Sequence, residues 1–309
     1  MEGDFTGENV KVSNSPDRTA RKIKNMFKNL STGAIGIQAN MREGLELAKN
    51  AGFDGLDMNI DEANQIAQEH SVQYVKDLWS DAGITMGGWG FGVNWRGSDA
   101  DYDAGLAQLP ERAALAAELG CYRTTTVVGP ASNDMTYQEN WDFSVKRLHG
   151  VAEILKDHGH SIGLEFIGPA TSRKSAKHLF AYSMDAMLGL AAAIGTGNVG
   201  LLFDTWHWYT CRSTVDDVRK LSVSDVIYVH INDAPAGIDP DDQIDNIRCL
   251  PAETGVIPLT ELMQILTGIG YEGPVTPEPF SKAVNEMEPA DAAKATAESL
   301  DKVWENAGL

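Results

Sequence analysis

The sequence predicts an α/β fold, a single (β/α)₈ barrel over residues 26–309, and three observations carry that expectation. Stretches that read as helices end in glycine and run straight into β-rich segments, again and again along the chain. Eight β-rich segments can be counted. The last four end in acidic residues or a histidine, at the C-terminal strand ends where barrel enzymes place their chemistry.

The repeat is visible in LAKNAGFDGLDMNI, LWSDAGITMGGWGF, AAELGCYRTTTVV, ILKDHGHSIGLEFIG, AAAIGTGNVGLLFD and LTGIGYEGPVTPE. Glycine at 52, 83, 120, 159, 195 and 270 is the residue expected just past a helix, because it adopts the left-handed conformation without a Cβ clash. The strands are expected near 32–37, 53–59, 84–90, 122–128, 161–167, 198–204, 226–231 and 274–278. Amphipathic helices lie between them. In TYQENWDFSVKRLHGVAEILKDHG the apolar residues Val145, Leu148, Val151, Ala152 and Leu155 form a helical stripe. Strands that alternate with helices imply parallel βαβ units. An open doubly wound sheet is the competing architecture. The nucleotide signatures that often accompany it are missing: GGWGFG at 87–92 is out of register with GxGxxG, and there is no GxxxxGK[ST].

A chain of 309 residues accommodates two average domains or one barrel, and 43% hydrophobic residues are enough for a full core. The net charge of −19 argues against binding that rests on neutralising phosphates, so no nucleic-acid partner is expected. Cys121, Cys211 and Cys249 are odd in number and widely spaced, which fits reduced thiols in a cytoplasmic protein better than disulfides or a thiolate zinc site. No apolar run of about 18 residues occurs, so no membrane span is expected. Residues 1–25 read as a polar leader without the apolar region of a secretory signal.

The strand ends carry the chemistry. Glu165 ends GLEF, Asp204 stands in LLFDTWH, His230 in VIYVHIND and Glu278 in VTPEPF. Each sits beside apolar residues, where a lone charge suffers a large desolvation penalty. One such residue is as consistent with a structural ion pair as with a ligand. Four on successive strands point to a metal, because a buried charge needs a partner or an ion. Three carboxylates and one imidazole suit Mn²⁺, then Mg²⁺ and Co²⁺, with Zn²⁺ also compatible.

In the order GLEF, FDTWH, HIND and PEPF, these motifs resemble the xylose isomerase-like TIM barrels of the sugar phosphate isomerase/epimerase superfamily, over roughly residues 28–305. That group includes ketose 3-epimerases and inosose isomerase and dehydratase types. The resemblance implies that Glu165, Asp204, His230 and Glu278 bind one divalent metal, and that Glu165 and Glu278 are also the catalytic acid/base pair. The chain departs from the ketose 3-epimerases after His230. Those enzymes carry an arginine there and then a compact turn, whereas this chain has Ala236 and the long segment NDAPAGIDPDDQIDNIRCLPAETG. Arg248 is the residue placed to supply the missing positive charge.

Around these ligands, His207 resembles a family histidine that contacts substrate oxygens; its alternative is a rim histidine bonded to a neighbouring loop. Trp89, Trp95, Trp206 and Trp208 fall at or just after strand ends, where aromatic faces stack on sugars or simply pack under loops. Trp89 and Trp206, with Asp233 and Arg248, complete the expected substrate-binding set. Asp233 is also a candidate to orient His230. DPDDQID reads as a solvated acidic loop or a lid. The remaining histidines at 70, 149, 158 and 160 read as structural or solvated, and His178 fits either role.

The expected activity is isomerisation or epimerisation of a sugar or polyol-derived ketose by proton transfer through an enediolate. The same groups serve a lyase or dehydratase when a leaving group lies β to the carbanion. An endonuclease-like hydrolase needs more histidines and a basic face, and a non-catalytic sugar-binding barrel needs no complete ligand set. The expected partner is a small sugar, without phosphate; no membrane partner is expected, and assembly into a homo-oligomer is compatible with the chain.

Overall fold

Helices in this chain stop where glycine lets the main chain reverse. Gly52 ends the helix Met41–Ala51 with φ 86°, its amide returning to the carbonyls of Ala48 and Lys49. Gly83 does the same for Val72–Ala82. Starts are equally well marked. Asn40, Ser98 and Thr136 form reciprocal caps with Glu43, Asp101 and Glu139, each satisfying amides that a helix N-terminus leaves free.

The computed structural model describes residues 26–309; the polar leader 1–25 lies outside the described residues. Eight parallel strands close into one barrel in which each neighbours the next in sequence and the last pairs the first. They are β1 (Phe27–Leu30), β2 (Gly55–Met58), β3 (Thr85–Trp89), β4 (Arg123–Val128), β5 (Ser161–Phe166), β6 (Val199–Asp204), β7 (Val226–Ile231) and β8 (Pro274–Pro277). The main enclosing helices are α1 (Met41–Ala51), α2 (Ile60–Glu69), α3 (Val72–Ala82), α4 (Asp99–Leu119), α5 (Tyr137–Asp157) and α6 (Met184–Ile194). The short α7 (Thr205–Thr210) and α8 (Val215–Val218) follow, then α9 (Leu259–Gly268), α10 (Lys282–Asn285) and α11 (Pro289–Ala307). Ala131–Ser132 and His178–Leu179 add a small antiparallel pair outside the barrel. Among the described residues, no helix is long and apolar enough to cross a membrane.

The core is double. One layer lies between strands and helices, where Ile162, Leu164 and Phe166 of β5 meet Leu148, Val151 and Leu155 of α5, all fully buried. The other is the barrel lumen. Its lower part is polar, built by Asn29, Asp57, Tyr228 and Thr276, where many barrels stack branched apolar side chains.

The first strand is displaced from its expectation. Residues 33–35 of GAIGI form a 3₁₀ turn closed by Gly36 at φ 78°, and the strand is the preceding FKNL. Its middle is polar for two reasons. Lys28 reaches Asp301 of α11 at 2.6 Å, and Asn29 enters the lumen. Neither resembles the residue types that usually mark a strand.

Candidate metal centre

Each strand-end residue is set by its own element. Glu165 is the penultimate residue of β5 and is 4% exposed; Asp204 closes β6 and is fully buried. His230 stands next to the end of β7, and Glu278 directly follows β8. Register delivers the neighbours: Asp204 lies opposite His230 in the β6–β7 ladder.

One ligand-capable atom from each of these four residues lies within 4.8 Å of all the others. His230 Nδ1 is at the focus, 3.1 Å from Glu165 Oε1, 3.4 Å from Glu278 Oε2 and 3.8 Å from Asp204 Oδ2. Asp204 divides its carboxylate. Oδ1 caps α7, accepting from the amides of Trp206 at 2.6 Å and His207 at 3.0 Å, which leaves Oδ2 for the cluster. Asn232, buried beside it, ties two members together: its Oδ1 accepts from the Glu278 amide at 2.7 Å and its Nδ2 reaches Asp204 Oδ2 at 3.4 Å. Three carboxylates and an imidazole converging in a buried focus are the donor set that a divalent ion takes.

The long segment after His230 supplies the counter-charge. Arg248 is 4% exposed, and its Nη1 donates to Asp204 Oδ2 at 3.0 Å and Glu278 Oε2 at 2.9 Å. Its Nη2 contacts Asp245 Oδ1 at 2.8 Å and His207 Nε2 at 3.2 Å. The guanidinium lies over the rings of Trp206 and Phe280, a stacking geometry that favours arginine over lysine. Asp233 makes this arm rigid. It is fully buried, and its two oxygens accept from the amides of Ala234, Thr254, Gly255 and Ile257 at 2.7–3.0 Å. Asp233 and Cys249 also form an antiparallel bridge that closes the base of the arm.

Charge in the cluster is strongly coupled. Burial opposes a charged imidazole, yet Glu278 and Glu165 beside it hold the His230 pKa well above its ordinary 6.5. Burial opposes the Glu278 carboxylate too, but His230 and Arg248 outweigh it and bring the pKa down to about 2. Arg248 is raised further above its ordinary range by Asp204, Glu278 and Asp245, against the cost of burial.

The expected residues separate into two groups. Glu165, Asp204, His230 and Glu278 come together, joined by Arg248 and His207, whose Nε2 is 3.9 Å from Glu165 Oε1. Two expectations need correction. Asp233 neither contacts His230 nor faces the cluster, because its carboxylate is consumed by the arm's amides. Trp89 is buried on the helix side, its ring perpendicular to that of His160, which in turn bonds the Ala113 carbonyl of α4. Trp206 is fully buried and serves as a floor for Arg248. The acidic run also divides: Asp239 and Asp241 pair with Arg212 at the surface, whereas Asp245 enters the site. Asp245 and Asn232 escaped the sequence reading. Asn232 stands inside a quoted motif, but an asparagine between apolar and acidic residues carries no chemical signal of its own.

A family model described as xylose isomerase-like TIM barrel matches residues 45–303, and the chain belongs to that family. An inosose isomerase from Halalkalibacterium halodurans is 27% identical over 162 residues, 52% of this chain and 53% of that protein, so the chain spans about half the length of this relative. An inosose isomerase from Bacillus velezensis is 22% identical over 270 residues, 86% of this chain and 92% of its own. Among solved structures, a xylose isomerase domain protein from Alicyclobacillus acidocaldarius superposes with a TM-score of 0.82 at 28% identity, covering 92% of this chain and 100% of that one. The IOLI protein, solved with a bound zinc atom, superposes at 0.73 with 18% identity over 90% of this chain and 98% of its own.

Proposed function

We propose that the protein is a divalent-metal-dependent isomerase or epimerase of a sugar or polyol-derived ketose, working by proton transfer through an enediolate. The observation that carries this reading is the convergence of Glu165, Asp204, His230 and Glu278 on one buried focus, with two glutamates among the four. The related inosose isomerases support the same class of reaction, and the bound zinc of the superposable barrel supports a divalent ion. Mn²⁺ remains the favoured ion because three of the four donors are hard carboxylate oxygens.

Glu165, Asp204, His230 and Glu278 would hold a divalent ion that would supply a Lewis acid toward a substrate carbonyl and so acidify the adjacent C–H. Glu278, paired with His230 and Arg248, is the carboxylate assigned to accept that proton. Glu165 stands across the focus and delivers a proton to the other face or the neighbouring carbon. His207 and Arg248 line the same focus and orient substrate oxygens. The Asp233-anchored arm covers the cluster and keeps bulk water from the proton in transit. Trp89 and Asp233 are left out of this assignment.

Incubating the purified protein with keto-sugars and inososes in deuterated water tests the reading. The expected product has the substrate's formula and carries deuterium at the reacting carbon. A best substrate that loses water or an aglycone identifies a lyase instead.

A further inference from the structure

Below the cluster, the barrel lumen holds a polar plug that takes no part in the chemistry just described. Tyr228, two residues before His230 on β7, is fully buried. Its hydroxyl donates to Asp57 Oδ1 at 2.7 Å and meets Thr276 Oγ1 at 2.6 Å and Asn29 Nδ2 at 2.9 Å. The same Asp57 oxygen also accepts from Asn29 Nδ2 and the Gly88 amide, both at 3.0 Å. Glycines make the room. A Cβ on Gly87 would lie 2.3 Å from Asn29 Oδ1, and one on Gly88 would lie 2.9 Å from Tyr228 Cε2. Four strands therefore converge on one tyrosine and hold its ring still.

That ring stands perpendicular to the His230 imidazole, with centroids 5.5 Å apart. A metal-bound histidine commonly donates its second ring N–H to a carboxylate or carbonyl, which fixes the plane of the ring. His230 turns Nδ1 toward the cluster, and among the described residues no group hydrogen-bonds its Nε2. The imidazole packs instead against the Tyr228 ring. We infer that Tyr228, pinned by Asp57, Asn29 and Thr276, is a positioning residue that seats His230 for metal binding, with aromatic packing in place of the usual hydrogen bond. This inference rests on the proposed metal site.

The test is calorimetric titration of chelator-stripped protein with Mn²⁺, with the melting temperature of the metal-free protein measured in parallel. Replacing the ring in Tyr228→Leu, or displacing it in Gly88→Ala, is expected to weaken Mn²⁺ binding by about tenfold or more, within the range for lost ligand supports. Tyr228→Phe keeps the ring and loses only its anchor, so a smaller loss of about threefold is expected. Leu155→Ala, in the buried outer layer on α5, lowers the melting temperature and leaves the affinity unchanged. If Tyr228→Leu does not fold, Gly88→Ala and Tyr228→Phe decide. Parent-like affinity in the Tyr228 and Gly88 variants, or an equal loss in Leu155→Ala, would overturn the positioning role while leaving the metal site standing. Parent protein that binds no divalent ion overturns both together.

Discussion

The two halves of the barrel are built differently. The β4–β7 half has four strands of six residues, and β4 pairs β5 in unbroken register from Arg123 with Ser161 to Val128 with Phe166. The other half, β8 with β1–β3, has strands of four, four, four and five residues; its register slips between Leu56 and Met58, as that of β6–β7 does between Leu201 and Leu202, and β3 meets β4 at the single pair Trp89 and Thr124. The longer-stranded half carries Glu165, Asp204 and His230, and the shorter half carries Glu278 directly after β8. Sites built on regular elements hold their side chains more closely than sites on irregular ones. Here the longer strands carry three of the four residues that meet within 4.8 Å. The shorter half contributes Asn29, Asp57 and Thr276 to the polar plug, where they close on Tyr228 of β7.

Breaking the proposed site should have the largest effect. Glu278→Gln and Glu165→Gln each remove a proton carrier together with a charged ligand, and turnover is expected to fall by about 10³-fold or more, from the usual worth of positioned acid–base groups. Circular dichroism should show the barrel intact. A variant at either position with near-parental kcat would remove that glutamate from the acid/base pair.

The arm should follow. Asp233→Asn weakens acceptance from up to four main-chain amides at once, so Arg248 loses its fixed approach. About a tenfold rise in KM with a smaller change in kcat is expected, together with new proteolytic cleavage within residues 234–256. Parental KM and parental resistance to protease would show that the arm holds itself without Asp233.

A third measurement addresses the halves directly. Native-state hydrogen exchange should find the amides of β4–β6 at least about tenfold more protected than those of β2 and β3, because protection follows the density of paired and buried main chain. Equal protection would remove the mechanical distinction.

The smallest effect concerns pH. His160 is fully buried near the start of β5, and burial lowers its pKa below 6.5. The unfolded chain therefore binds a proton there more readily than the folded one. The contribution of His160 to stability is expected to be level above about pH 6.5 and to turn unfavourable as pH falls below it. His160→Asn should flatten that part of the stability curve, and an unchanged slope would place the effect on other groups.

Legibility in the sequence followed local pattern rather than strand length. Strands β2 to β8 lie within a residue or two of their expected spans, most of them because a helix-ending glycine marks where the β-rich run begins. The four proposed ligands stood out because they are charges set among residues that belong in a core. β1 was misplaced because Lys28 and Asn29 answer to distant partners, Asp301 and Asp57, which local pattern does not reveal. Trp89 and Asp233 were misjudged for a related reason. Position at a strand end says that a side chain is near the mouth, but only the fold shows whether it faces lumen, helix or loop. Asp245 and Tyr228 had no local signal at all.

The central claim is that these four residues hold one divalent ion, and metal titration across pH tests it most directly. His230, whose pKa is held well above 6.5 by its glutamate neighbours, carries a proton that an ion must displace. Chelator-stripped protein is therefore expected to bind one Mn²⁺ per chain, to release a proton on binding, and to bind more tightly as pH rises. His230→Ala should bind at least about tenfold more weakly and lose that proton release. Parental affinity in His230→Ala, or binding independent of pH in the parent, would contradict the account.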